Sequence, residues 1–160
     1  MKNKSLILGV ILGIVFVGAI YTAVKQPLTK RNSLFSQVQA VVYKTPTCDC
    51  CAQYANYLKA NGFKIEVKEV SDEELENIKR QNNIPYNLWA CHTVFLNNYF
   101  VEGHVPVEAI EKLLTEKPEI NGIALPGMPS GSPGMSGIKF YPFRIYSVKD
   151  GKDQGLFMEI

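Results

Sequence analysis

Between residues 37 and 58 the sequence passes from a valine-rich run, "VQAVVYK", through "TPT" to apolar residues at helical spacing, Tyr54, Ala55 and Leu58. Three cysteines, Cys48, Cys50 and Cys51, stand at that junction. The pattern is a buried strand, a cysteine loop and a helix, with Asn61-Gly62 as the left-handed stop. "FKIEVKEV" then alternates apolar and charged residues as a half-exposed strand does, and Ser71 with Glu74 forms a capping box opening a helix through Arg80. "WACHTVFL" and "YFVEGHV" flank Asn97-Asn98, a pair suited to the positive backbone angles of a tight hairpin. Pro106 fits a helix start, and Val107, Ile110, Leu113 and Leu114 give that helix one apolar face before Pro118. The order is βαβα followed by ββα. The rest is a Gly/Pro-rich loop, "NGIALPGMPSGSPGMSG", and a closing hairpin of "FYPFRIYSV" and "GLFME" around Asp150-Gly151, together an extension over residues 118–160.

At 160 residues the chain holds one ordinary domain, expected at 37–160, plus an N-terminal segment. Leu6 to Val24 carries no charge. As a helix it reaches roughly 28 Å at about 1.5 Å per residue, close to the hydrocarbon thickness of a bilayer. Residues 1–24 therefore read as an uncleaved membrane anchor, with residues 25–36 as a polar tether. The alternative is a secretory signal with Leu6 to Phe16 as its apolar core and Val17-Gly18-Ala19 as its cleavage site. Lys2 and Lys4 face Lys25, Lys30 and Arg31 across the segment, so charge does not fix its orientation. Both readings deliver the body to or across a membrane, hence an extracytoplasmic location. The net charge is +2 and no stretch interleaves basic with aromatic residues, which argues against nucleic-acid binding.

The fourth cysteine is Cys91. An even count outside the cytosol is compatible with two disulfides. Adjacent Cys50 and Cys51 are a poor mutual bridge, however, and a domain of this size needs no staple, so the cluster reads as a reactive or metal site.

The strand, the Cys-x-x-Cys pair at a helix start and the βαβ–ββα order resemble thioredoxin-like proteins, and "VVYKTPTCDCCAQYANYLKANGFKIEVKEV" resembles the first half of a glutaredoxin, with Cys48 and Cys51 on the dithiol. "ACHTVFLNN" resembles the strand that begins with a cis proline in such proteins, with His92 on the proline's place and Cys91 just before it. "CDCC", "ACHT", "EGHVP" and "PGMPSGSPGM", in that order over roughly residues 40 to 137, resemble the CopG-type family of bacterial copper-resistance proteins. The resemblance implies a thioredoxin-like mixed sheet with flanking helices, an extracytoplasmic location, copper binding through the cysteines and a role in copper redox handling.

As ligands, Cys48 and Cys51 gain from the helix dipole and unpaired amides, which favour thiolates. Successive side chains on a helix diverge, so Cys50 joins Cys51 on one ion only if Cys48-Asp49-Cys50 is non-helical; otherwise the thiolates bridge several Cu(I) ions. Asp49 reads as a spacer. His92 and His104 are the only histidines, and the hairpin brings them with Cys91 to the same end, as metal ligands; His104 has the alternative role of fixing the following helix against the site. Met128 and Met135 in the Gly/Pro loop are soft lid or outer ligands, and Met158, Trp89 and the tyrosines of the first helix read as core.

The expected function is a soft-metal protein for copper, most simply Cu(I) in a mononuclear or polynuclear site, with a copper transport or resistance protein as partner. A metal-free thiol oxidoreductase, with Cys48 attacking and Cys51 resolving, is the alternative. A structural zinc site is the third reading.

Overall fold

In a computed structural model of the protein, which describes residues 33–160, every strand joins one seven-stranded sheet in the order β2-β1-β3-β4-β5-β6-β7. The strands are β1 (Gln39–Lys44), β2 (Lys64–Glu69), β3 (His92–Leu96), β4 (Tyr99–Gly103), β5 (Gly122–Leu125), β6 (Arg144–Lys149) and β7 (Lys152–Glu159). The helices are α1 (Asp49–Ala60), α2 (Asp72–Gln81) and α3 (Val107–Glu116), with a 3-10 turn at Tyr86–Leu88. The pairs β1–β2 and β4–β5 are parallel; the others are antiparallel.

The expected βαβα–ββα order is present, and its local signals act as written. Ser71 Oγ accepts from the Glu74 amide, Gly62 has φ 99, and Asn97 takes the positive hairpin angle at φ 50. The Asp150-Gly151 turn has φ 51 and 72.

Three expectations need correction. Gly122–Leu125 is a strand with all four residues buried, not loop. It lies between β4 and β6, so it joins the last hairpin to the main sheet. A four-residue central strand buried on both faces has no alternation to show, and here it is bracketed by Gly/Pro signals. β2 is more exposed than half-exposed: only Ile65 is partly covered, because β2 is an edge strand. Met158 is half-buried on the opposite edge strand rather than core. In addition Phe35, within the segment expected to be tether, is buried and stacks on Phe63 with centroids 4.2 Å apart.

The two faces of the sheet carry different partners. Along β3, His92, Val94 and Leu96 point to one side and Thr93 and Phe95 to the other, by the two-residue period of a strand. Tyr54 of α1 packs on His92, and Tyr57 Oη accepts from the Val107 amide at 2.9 Å, which places α1 and α3 on the first side. Lys79 of α2 reaches Glu102, whose register partner is Thr93, so α2 covers the other side. That second side holds a cluster of Ile84, Leu88, Phe100, Ala124 and Val148.

Phe35–Ile160 form one compact unit. Among the described residues no helix is long and apolar enough to cross a membrane; the apolar run Leu6–Val24 lies outside the described residues.

Candidate metal centre

All four cysteines meet at the N-terminus of α1. Cys48 is the N-cap residue, with extended backbone, Cys50 and Cys51 lie in the first turn, and Cys91 arrives from the residue before β3. The four sulfurs lie within 4.8 Å of one another. Cys48 Sγ to Cys50 Sγ is 3.5 Å and Cys50 Sγ to Cys91 Sγ is 4.0 Å. Cys50 and Cys51 are both helical, so the expected divergence does not keep them apart. Side chains in the first turn lean back toward the helix N-terminus, and Cys48 and Cys91 close the group from outside the helix.

Cys48 and Cys51 form a disulfide, and Cys50 and Cys91 are free. Cys51 Sγ lies 3.6 Å from the Cys91 carbonyl, to which its thiol can donate once reduced. Burial, then the neighbouring Cys50, pushes the Cys91 thiol up to about 12, with Lys79 pulling the other way.

Cys91 also belongs to a second set of donors. His104 Nε2 stands 3.1 Å from Cys91 Sγ and His92 Nδ1 stands 3.4 Å from it, and the three residues form a compact ligand-capable group. His104 Nδ1 lies 2.7 Å from the Pro133 carbonyl. A carbonyl only accepts, so Nδ1 carries the proton and Nε2 turns its lone pair toward Cys91, the arrangement seen in metal-ligating histidines. His92 is fully buried, and its Nε2 has no hydrogen-bond partner. Burial, then His104 and Lys79, holds its pKa well below the usual imidazole range, and burial lowers His104 as well. Both rings are therefore neutral at physiological pH, the form that a metal ion requires. The nitrogens that face the Cys91 sulfur are His92 Nδ1 and His104 Nε2, so one thiol and two neutral imidazoles present their donor atoms to a common point. The residues fit a soft metal ion.

Sequence reasoning missed two parts of this centre and the residues through which the Gly/Pro loop reaches it. Tyr54 is no ordinary core residue: its ring lies 4.6 Å from that of His92 and 5.5 Å from that of His104, and its hydroxyl donates to Val105 O at 2.7 Å. It thereby ties α1 to both imidazoles. Two buried lysines hold the backbone before the cysteines: Lys44 Nζ donates to Thr45 O at 2.8 Å, ahead of Cys48, and Lys79 Nζ donates to Ala90 O at 2.8 Å, ahead of Cys91. The only signal for the second was an acid, Glu102, inside an apolar strand. The Gly/Pro loop closes the site through Pro133 and Gly134. A Cβ on Gly134 would stand 2.7 Å from Tyr54 N and 2.8 Å from Cys50 O, so the loop backbone lies directly on the first turn of α1. Met135 follows it and is half-buried, whereas Met128, at φ 46, is 41% exposed.

Comparison with known proteins agrees with this layout. A family described only as a protein of unknown function, DUF411, matches residues 88–135, which run from just before Cys91 through His104 to Met135. Two forms of the copper resistance protein CopG share the fold. Form 2 is 34% identical with a TM-score of 0.68, over 77% of this chain and 98% of that one. The chain belongs to the CopG family. Form 1 of CopG gives the same identity and TM-score over 76% of this chain and 96% of its own. No curated protein sequence matches the chain. CopG family membership and a Cys/His cluster able to coordinate a metal give this protein a metal-related, copper-resistance context.

Proposed function

We propose that this protein binds copper as Cu(I) through Cys48, Cys50, Cys51 and Cys91 together with His92 and His104, and serves copper resistance by sequestering the ion or changing its oxidation state. The observation that carries the reading is the double membership of Cys91. Its sulfur is within 4.8 Å of three other sulfurs in one set and of two imidazoles in the next. A thiolate shared between donor sets suits a soft ion of low coordination number in a polynuclear arrangement. Met128 and Met135 are lid residues whose neutral thioethers suit the same ion. The body is placed outside the cytoplasm, exported or tethered by residues 6–24, with a copper transport or resistance protein as partner. Alkaline extraction that releases the full chain from membranes as readily as a chain lacking residues 1–24 would rule out the tether.

The Cys48–Cys51 disulfide favours a second reading, thiol–disulfide exchange. The Cys48 thiolate attacks a substrate disulfide and releases one substrate thiol. Cys51 then displaces the other, so the substrate gains the two electrons that the dithiol loses. This uses neither Cys50, Cys91 nor the imidazoles. Four sulfurs this close also suit tetrahedral zinc, which leaves the histidines idle.

Anaerobic titration of the reduced protein with Cu(I) against a competing chelator, and separately with zinc, distinguishes the three. The copper reading expects more than one ion per chain, loss of all four free thiols and displacement of zinc by Cu(I). No tight Cu(I) binding, with Cys48 and Cys51 cycling readily, leaves the oxidoreductase.

A further inference from the structure

The buried charges on the α2 side of the sheet hold the peptide on which the centre depends. Lys79, on α2, and Glu102, on β4, are 2% and 0% exposed and form an ion pair. Between them lies Ala90. Lys79 Nζ donates to the Ala90 carbonyl at 2.8 Å, and Glu102 Oε1 accepts from the Ala90 amide at 2.7 Å. Glu102 Oε2 accepts from Thr93 Oγ1 at 2.6 Å. One ion pair thus grips both polar groups of the residue before Cys91 and the side chain two residues after it. Gly103 completes the grip: at φ +76 it has no Cβ, and one added there would stand 2.7 Å from the Ala90 Cβ.

Stability alone does not explain such a pair. Desolvating two charges costs about as much as their attraction returns, and apolar residues of similar volume often serve as well. What apolar residues cannot do is hold an N–H and a C=O at once. We infer that Lys79 and Glu102 are positioning residues, whose ion pair fixes the Ala90–Cys91 backbone so that the Cys91 sulfur serves the thiol set and the imidazole set together. The inference rests on the copper reading of the centre. The tolerances are narrow, since Cys91 Sγ must stay 4.0 Å from Cys50 Sγ on one side and 3.1 Å from His104 Nε2 on the other. Lys79 also lines, with Cys48, Cys91, Asp72 and Glu76, a cleft of about 250 Å³ leading to the thiols, so a displaced Ala90–Cys91 segment has space to move into.

The test uses the full chain and the double variant K79M/E102Q, which removes both charges and leaves neither buried alone. Each protein is reduced, loaded anaerobically with Cu(I) and alkylated, and each cysteine is followed by peptide mass. The wild type is expected to protect Cys91. The double variant is expected to keep a thermal midpoint near the wild type while its Cys91 alkylates at least tenfold faster and its copper count falls. Protection of Cys91 and a copper count equal to wild type in the double variant overturn the inference. Should the double variant not fold, Thr93→Val, which removes one bond to Glu102, is expected to speed Cys91 alkylation twofold to threefold, and an unchanged rate overturns it. A wild type that protects no cysteine defeats the copper reading instead. The same alkylation without metal then decides the positioning role: faster in the variant supports it, and equal rates overturn it.

Discussion

At the scale of single residues, Cys91 carries the heaviest chemical demand in the site. Its thiol, pushed up to about 12, is protonated at neutral pH, so binding a metal ion must release that proton. His92 and His104, both lowered, are already neutral and release none above about pH 6.5. The sign follows: Cu(I) affinity rises with pH, by about tenfold per unit between pH 6.5 and 8 from the one proton of Cys91. Competition titrations across that range check it, and a flat profile would remove Cys91 from the ligand set. That the six Cys and His residues lie together was legible from residue type and motif. Tyr54 was not, because an aromatic at helical spacing looks the same whether it packs on leucines or on two imidazoles. Nor was Lys79, since a lysine in a charged helix reads as solvated until the strand that it covers is known.

At the scale of elements, the site is assembled where the start of α1, the two ends of the β3–β4 hairpin and the Gly/Pro loop converge. The loop's contribution is specific: Pro133 fixes the His104 tautomer, and Gly134 permits contact with α1. Gly134→Ala places a methyl group against Tyr54 N and Cys50 O, at a backbone conformation (φ +81) that costs alanine on the order of 1–3 kcal/mol. The loop is expected to lift, freeing His104 Nδ1 and weakening Cu(I) binding by about tenfold to a hundredfold, as loss of an outer hydrogen bond to a ligating histidine does. Chelator competition measures the affinity, and an unchanged affinity would show that the loop does not orient His104. The hairpin was readable because Asn97-Asn98 and the strand alternation agree. The convergence of Cys50 with Cys51 was not, because the backward lean of first-turn side chains acts only where other elements supply sulfurs beyond the helix end.

For the whole molecule, one sheet separates two tasks. α1 and α3 cover the side that holds the imidazoles, while α2 covers the side where Lys79 and Glu102 hold the backbone and shares a cleft with Cys48 and Cys91. The segment order along the chain was legible in periodicity and caps, but the extent of the sheet was not. β5 carries no alternation, and its pairing with β4 and β6 turns an apparent appendage into part of one seven-stranded sheet. The central claim is that the four sulfurs and two imidazoles form a single soft-metal centre joined at Cys91. X-ray absorption at the copper edge of the anaerobically loaded full chain tests it most directly. The account predicts a first shell dominated by sulfur with copper–copper scattering beyond it, both diminished in Cys91→Ser. A shell of nitrogen and oxygen alone, or one unchanged by Cys91→Ser, would contradict it.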